Sequence, residues 1–164
     1  MIFSLEAPST EYKESYVDAV RAFKKEGLWW YADVSPEQLD KNFEAFVDEL
    51  NARKGVTTLW AIVDGKYAGR IDLRHELTPA LRIVGGHIGY DTVPAYRGKG
   101  LASGMLRKIL PLAKTIGLIE VLLTCDDNNR ASIQVIEKNG GVLKETKKIA
   151  EDKPLKRYYW IPLN

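Results

Sequence analysis

Val93-Pro94-Ala95-Tyr96-Arg97-Gly98-Lys99-Gly100-Leu101-Ala102 sits where the chain changes period, and its reading decides the fold. Ahead of it Ile88, Tyr90 and Thr92 alternate as on a strand, and Pro94 closes the run. Beyond it Ala102, Met105, Leu106, Ile109, Ala113 and Ile116 recur at helical spacing. A strand that enters a helix through such a turn leaves backbone N–H groups free at the positive end of the helix dipole. That is a seat for phosphate. Glycine at 98 and 100 lets an anion approach the main chain and accepts positive φ. Arg97 and Lys99 add charge at the rim. Taken alone, the turn also fits a loop that merely opens a surface helix.

Two familiar phosphate loops do not match. The Walker pattern, four residues between its first Gly and a Gly-Lys-Ser/Thr, is absent. The dinucleotide pattern G-x-G-x-x-G would need glycine where Ser103 stands, with Gly104 one place late. It would also need an acidic residue about twenty positions further on, at the end of a parallel strand. Glu120 falls near that spacing, but at a strand's start.

The length of 164 residues fits one domain, 1–164, with a substantial core. A formal charge of +2 is too small to draw nucleic acid by bulk electrostatics. No apolar run is long enough to span a membrane. The opening Met-Ile-Phe-Ser-Leu-Glu-Ala-Pro lacks a basic start and a long apolar segment, so no secretory signal is expected. A lone cysteine, Cys125, excludes an internal disulfide and fits a reducing cytoplasm; it reads as a small buried residue on a strand. No metal site is expected.

Elsewhere the pattern is punctuated clearly. Residues 2–6 read as a strand, and Ser9 or Thr10 opens a helix with Tyr12, Tyr16, Val17, Val20 and Phe23 on one face, ending near Gly27. Ser35-Pro36-Glu37-Gln38 opens a second helix that runs to Gly55. Val56–Val63 and Tyr67–Leu77 read as strands joined at Asp64-Gly65, and a third strand is expected from about Leu81 to Val93. The helix after the loop should kink at Pro111. Ile119–Cys125 is a continuous apolar strand, and Asp126-Asp127-Asn128-Asn129 can cap a helix ending at Asn139-Gly140-Gly141. Val142–Ile149 and Leu155–Leu163 close the chain as strands. The expected order is β-α-α-β-β-β-α-β-α-β-β: an α/β (α+β) domain on a mixed, mostly antiparallel sheet of six to seven strands with about four helices.

This order and these motifs resemble the GNAT superfamily of acetyl-CoA-dependent N-acetyltransferases, and particularly its small bacterial members. The pyrophosphate motif R/Q-x-x-G-x-G/A is matched by Arg97, Gly100 and Ala102, and the following helix opens at Asn129 and ends at Gly140. The resemblance covers residues 55–145 best. It implies that amides from Gly98 through Lys99, Gly100, Leu101 and Ala102 to Ser103 cradle the pyrophosphate of CoA. It further implies that the main chain of Thr92 and Val93 pairs with the pantetheine arm, for which the strands ending at Val93 and Cys125 must diverge. Asn129 would bond a pantetheine amide as well as cap its helix, with Ser132 assisting.

The chemistry implied is attack of an amine on the thioester of acetyl-CoA. An alkyl amine titrates near 10, so a base must first remove a proton. A strand amide near Val93 could hold the carbonyl oxygen as it gains charge. His87 and Asp91 alternate on one face of the strand that leads to the loop. His87 has the more suitable pKa, but it fits a histidine satisfied within the sheet equally well. Asp91 fits a strand-end turn as readily as a base. His75 and Glu76 are outside candidates, better read as solvated. Many family members carry a tyrosine seven residues after the asparagine, to protonate the leaving thiolate; here Ile136 stands there. Tyr158 and Tyr159 read as packed aromatics instead. Trp29, Trp30 and Tyr31 fit either an aromatic wall beside the acceptor or a hydrophobic plug. The expected partners are a small-molecule or peptide amine and a second copy of the chain as a homodimer. A CoA-binding sensor without turnover is the alternative function.

Overall fold

The computed structural model describes residues 1–28 and 31–164. Expectations about Trp29 and Trp30 therefore lie outside the described residues. Strand β1 (Ser4–Glu6) leads to a 3-10 turn, Thr10–Tyr12, and helix α1 (Lys13–Lys25). Ser9 opens the turn by accepting from the Glu11 N–H at 3.2 Å. Ser35 caps α2 (Pro36–Lys41) by accepting from the Gln38 N–H at 3.2 Å. The single second helix of the sequence reading is two, because the chain breaks at Asn42 before α3 (Phe43–Ala52). There the Asn42 side chain donates back to the Gln38 carbonyl at 3.0 Å and its backbone sits at φ −116. Asparagine competes with the helix in this way.

Strands β2 (Val56–Val63) and β3 (Lys66–Arg74) are joined at Asp64-Gly65, with φ of 49 and 73, the paired positive values that a tight hairpin requires. The third strand is shorter than expected. A short helix α4 (Pro79–Ile83) occupies its proposed first part, and only β4 (Ile88–Thr92) is strand. Thr78-Pro79 is a helix start like Ser35-Pro36: Thr78 Oγ1 accepts from the Leu81 N–H at 3.2 Å.

Helix α5 (Leu101–Thr115) follows the loop and continues through Pro111. The chain then forms β5 (Glu120–Asp126), α6 (Arg130–Lys138), β6 (Val142–Lys147) and β7 (Lys156–Pro162). The described residues thus form seven strands and six helices in a mixed α/β fold. The strands divide into two antiparallel sheets, ordered β1-β2-β3-β4 and β5-β7-β6. They meet below β4, where the His87 N–H donates to the Leu122 carbonyl at 2.8 Å and Gly86 forms a lone bridge with Leu123. No ladder joins β4 to β5 above that point, so the strands diverge as the resemblance implied.

Each sheet face has its own core. Ile71 and Leu73 pack with Leu106 and Ile109 of α5 and with Leu123 and Tyr159 of the second sheet. On the opposite face Tyr16 and Phe23 of α1 and Phe43 of α3 pack on Trp60 and Tyr67, with the Tyr16 and Trp60 rings stacked at 4.6 Å. Gly104 belongs to the first core: a Cβ there would meet the Phe3 ring at 2.7 Å. The near match to a dinucleotide loop therefore has a packing cause.

Candidate active site

The turn after β4 exposes a row of donors. The amides of Gly98, Lys99, Gly100, Leu101, Ala102 and Ser103 make no backbone hydrogen bond among the described residues; the helical series starts with Gly104 N–H to Gly100 O at 2.9 Å. Gly98 and Gly100 have φ of 71 and 81, and a Cβ at either would find nothing within 4 Å. The row borders a cavity of about 560 Å³, which Thr92, Arg97, Gly98, Gly100, Asn129 and Ser132 also line. Asn129 Oδ1 accepts from the Ser132 N–H at 3.1 Å, which leaves its amide nitrogen for a ligand. Ser103 Oγ accepts from Asn139 at 3.0 Å.

The two basic side chains of the loop are both tied to other protein groups. Arg97 forms a two-pronged pair with Glu26, 2.8 Å on each arm, and its Nε donates to the Thr92 carbonyl at 3.0 Å. Lys99 Nζ turns back to the Ala95 carbonyl at 2.9 Å. Lys138, from the last turn of α6, also lines the cavity, which the sequence reading missed.

Along β4 the free edge is displaced by one residue from the expectation. The Val93 N–H donates to the Ala68 carbonyl at 2.9 Å and the Arg74 N–H to the His87 carbonyl at 2.7 Å. Antiparallel ladders alternate, so residues 89 and 91 also face β3, and the N–H and C=O groups of Tyr90 and Thr92 point into the gap towards β5. Val93 can neither pair with a pantetheine arm through its N–H nor hold an oxyanion with it. Tyr90 and Thr92 offer the free amides.

The two candidate bases are set apart. His87 is buried in the sheet, where its Nδ1 accepts from the Leu122 N–H at 2.9 Å, and it borders neither this cavity nor the adjoining one. The neutral ring then carries its proton on Nε2, and burial holds its pKa below 6.5. It is a buried histidine tied to the second sheet through Nδ1, away from the cleft. Asp91 lines the cavity. Arg70, directly opposite on β3, donates from Nε to Asp91 Oδ2 at 2.8 Å, and the Tyr31 hydroxyl donates to the same oxygen at 3.0 Å. The other oxygen, Oδ1, is buried without a partner among the described residues. Burial raises the pKa of Asp91 while Arg70 opposes the rise.

The remaining candidates fall away from the cleft. His75 Nε2 pairs with Thr57 Oγ1 at 2.8 Å, and Glu76 is exposed. The Tyr158 hydroxyl is held by the Ile83 carbonyl at 2.8 Å and that of Tyr159 by Glu137 at 2.9 Å. Cys125 is buried, and loss of solvation pushes its thiol up to about 11. Tyr31 is part of the aromatic plug, stacked on Phe23 at 4.7 Å, while its hydroxyl reaches Asp91.

Tyr90 is a second site residue that the sequence reading missed. Tyr90 lines this cavity and also a smaller one of about 180 Å³ between β4 and β5; Ser132 is the other residue on both. The Tyr90 hydroxyl is buried with no hydrogen bond within 3.5 Å among the described residues, and burial pushes its pKa up to about 12 against a smaller lowering by the nearby Ser132 side chain. Its alternation with Asp91 along β4 is the sequence signal that places it on the opposite face.

Residues 8–142 match the family described as the acetyltransferase (GNAT) domain. No curated protein matches the sequence. Among solved structures, the chain is similar to RimL, an alpha-N-protein acetyltransferase of a ribosomal protein in complex with coenzyme A: 20% identity, 98% of this chain and 93% of that one covered, TM-score 0.76. It is similar to the microcin self-immunity acetyltransferase MccE in complex with acetyl-CoA and AMP: 17% identity, 98% and 92% covered, TM-score 0.77. A spermidine N-acetyltransferase chimera of SpeG from Vibrio cholerae and hSSAT gives 15% identity, 98% and 95% covered, TM-score 0.66. At these identities the likeness carries the fold.

Proposed function

The chain belongs to the GNAT acetyltransferase family, and on that premise we propose that it moves an acetyl group from acetyl-CoA to a primary amine by direct attack within a ternary complex. We read residues 1–164 as one such domain. The observation that carries the reading is the row of unbonded amides from Gly98 to Ser103, which borders the same cavity as the buried carboxylate of Asp91.

On this reading the amides and the dipole of α5 hold the pyrophosphate, while the N–H of Thr92 and the N–H and C=O of Tyr90 pair with the pantetheine arm. Asn129 bonds an amide of that arm. One of the free β4 amides faces the thioester oxygen and stabilises the charge it gains. Asp91 Oδ1 takes the proton from the incoming ammonium, so that the nitrogen lone pair can form the N–C bond as the C–S bond breaks. The Tyr90 hydroxyl gives its proton to the departing sulfur, a duty Ile136 cannot perform, and is reprotonated from the cleft. Its place on both cavities supports this role, because donor and acceptor must meet there. The acceptor is a small molecule or a peptide amine.

The test is free thiol released from acetyl-CoA in the presence of amino acids, polyamines and peptides. Acceptor-dependent release is expected. Tight CoA binding with no release for any amine would make the protein a sensor instead.

A further inference from the structure

The smaller cavity carries a charge pattern that the reaction alone does not require. Among its lining residues are Arg74, Gly89, Thr124 and Lys156, beside the shared Tyr90 and Ser132. Lys156 is paired with Asp126. Arg74 is not matched in this way. Its NH1 donates to the carbonyls of Gly85 at 3.3 Å and Gly86 at 3.1 Å, while its Nε and NH2 have no hydrogen bond, and the group no carboxylate within 4.0 Å, among the described residues. The nearest acid on its own strand, Asp72, is held by Thr58 at 2.6 Å and by Arg70 at 3.7 Å.

We propose that the acceptor amine also carries a carboxylate, and that Arg74 receives this group in the cavity between β4 and β5. The proposal rests on the acetyl-transfer reading above and names its substrate class. A guanidinium with a free edge matches a carboxylate with two parallel bonds, where a lysine would act only as a point charge. Loss of solvation already disfavours the charge on Arg74, and an incoming anion relieves that.

Geometry sets the size of the acceptor. The guanidinium lies 3.4 to 3.5 Å from where a Gly89 Cβ would stand, and glycine there leaves the strand face open. Gly89 precedes Asp91 by two residues on the same face, about 7 Å along a strand. An amine at Asp91 and a carboxylate at Arg74 are therefore separated by a few bonds, as in an amino acid. A cavity of about 180 Å³ has room for a group of that size. A polyamine would bring a second cation towards Arg74 and Lys156.

The test compares amino acids with their carboxamides, with polyamines and with dipeptide amides bearing an acidic residue, following thiol release. Acids should exceed their amides at least ten-fold in kcat/KM. Arg74→Gln should raise KM for acids roughly ten- to hundred-fold, the loss of a charged hydrogen-bond pair, with the Kd for acetyl-CoA unchanged as the control for folding; Arg74→Lys should keep part of the preference. Acidic dipeptide amides outrunning every free amino acid would support Arg74 and make a peptide the source of the carboxylate. Amides or polyamines used as well as acids, or an acid preference that survives Arg74→Gln, would overturn the inference. Calorimetry with N-acetyl amino acids, in the presence of CoA, reads the same site without turnover. Failure of wild type to bind them would overturn the inference, whereas failure to bind acetyl-CoA would overturn the reading on which it rests.

Discussion

Gly100→Ala separates the binding role of the loop from its backbone conformation. Gly100 has φ of 81, and a Cβ there meets nothing within 4 Å, so alanine fits sterically but is held in the left-handed region. That strain costs about 1–2 kcal/mol, which for a chain of this size lowers Tm by about 2–8 °C. The new methyl projects into the space that a phosphate must enter to reach the amides. Losing two charge-assisted hydrogen bonds, at about 1.5–3 kcal/mol each, weakens acetyl-CoA by roughly a hundred-fold or more. Gly117→Ala is the matched control: φ is 94, nothing lies within 4 Å, and the residue follows the far end of α5. Both variants should lose similar Tm, and only Gly100→Ala should lose donor affinity by calorimetry. Equal affinities, within about three-fold, would refute the assignment of this loop.

Asp91→Asn should lower kcat by roughly 10²–10⁴-fold with acetyl-CoA affinity retained. In wild type, because burial raises this carboxylate, rate should fall with acid from an apparent pKa above the ordinary 3.8, a limb that the variant lacks in a pH–rate profile. Tyr90→Phe should slow thiol release about a hundred-fold at little cost in Tm, since the hydroxyl has no partner to lose; an unchanged rate would remove it as the acid. His87 is held neutral below 6.5, so the unfolded chain takes up its proton first and stability drops as pH falls through 6.5 towards the folded pKa. Thermal midpoints between pH 7.5 and 5.5 should show this drop, and His87→Asn, whose Oδ1 can still accept from Leu122, should lessen it.

What could be read from the residues was what short-range chemistry determines. The Asp64-Gly65 hairpin, the Ser35 cap and the Asn129 cap each depend on a few neighbouring residues, and each formed. Thr78-Pro79 carried the same kind of signal, but the segment after it is read as the third strand of the meander and its first part is helix. The fate of His87 was not legible, because its partner Leu122 is 35 residues away. Nor was the Arg70–Asp91 pair, which depends on the register between β3 and β4 across a long connection rather than a tight hairpin. The one-residue error at Val93 has the same origin: the parity of a ladder is set by its partner strand. Arg74 belongs to this group as well, since only the fold places it over Gly89.

The junction at His87 and Leu122 gives the molecule an unfinished seam, stitched at one end and left open at the other. An arm that enters there tears no stitches, because Tyr90 and Thr92 have no strand to give up. Much of the ordering cost of association has thus already been met during folding. Its affinity for a donor should accordingly be governed by what the rim holds, and hardly at all by the work of prising two strands apart.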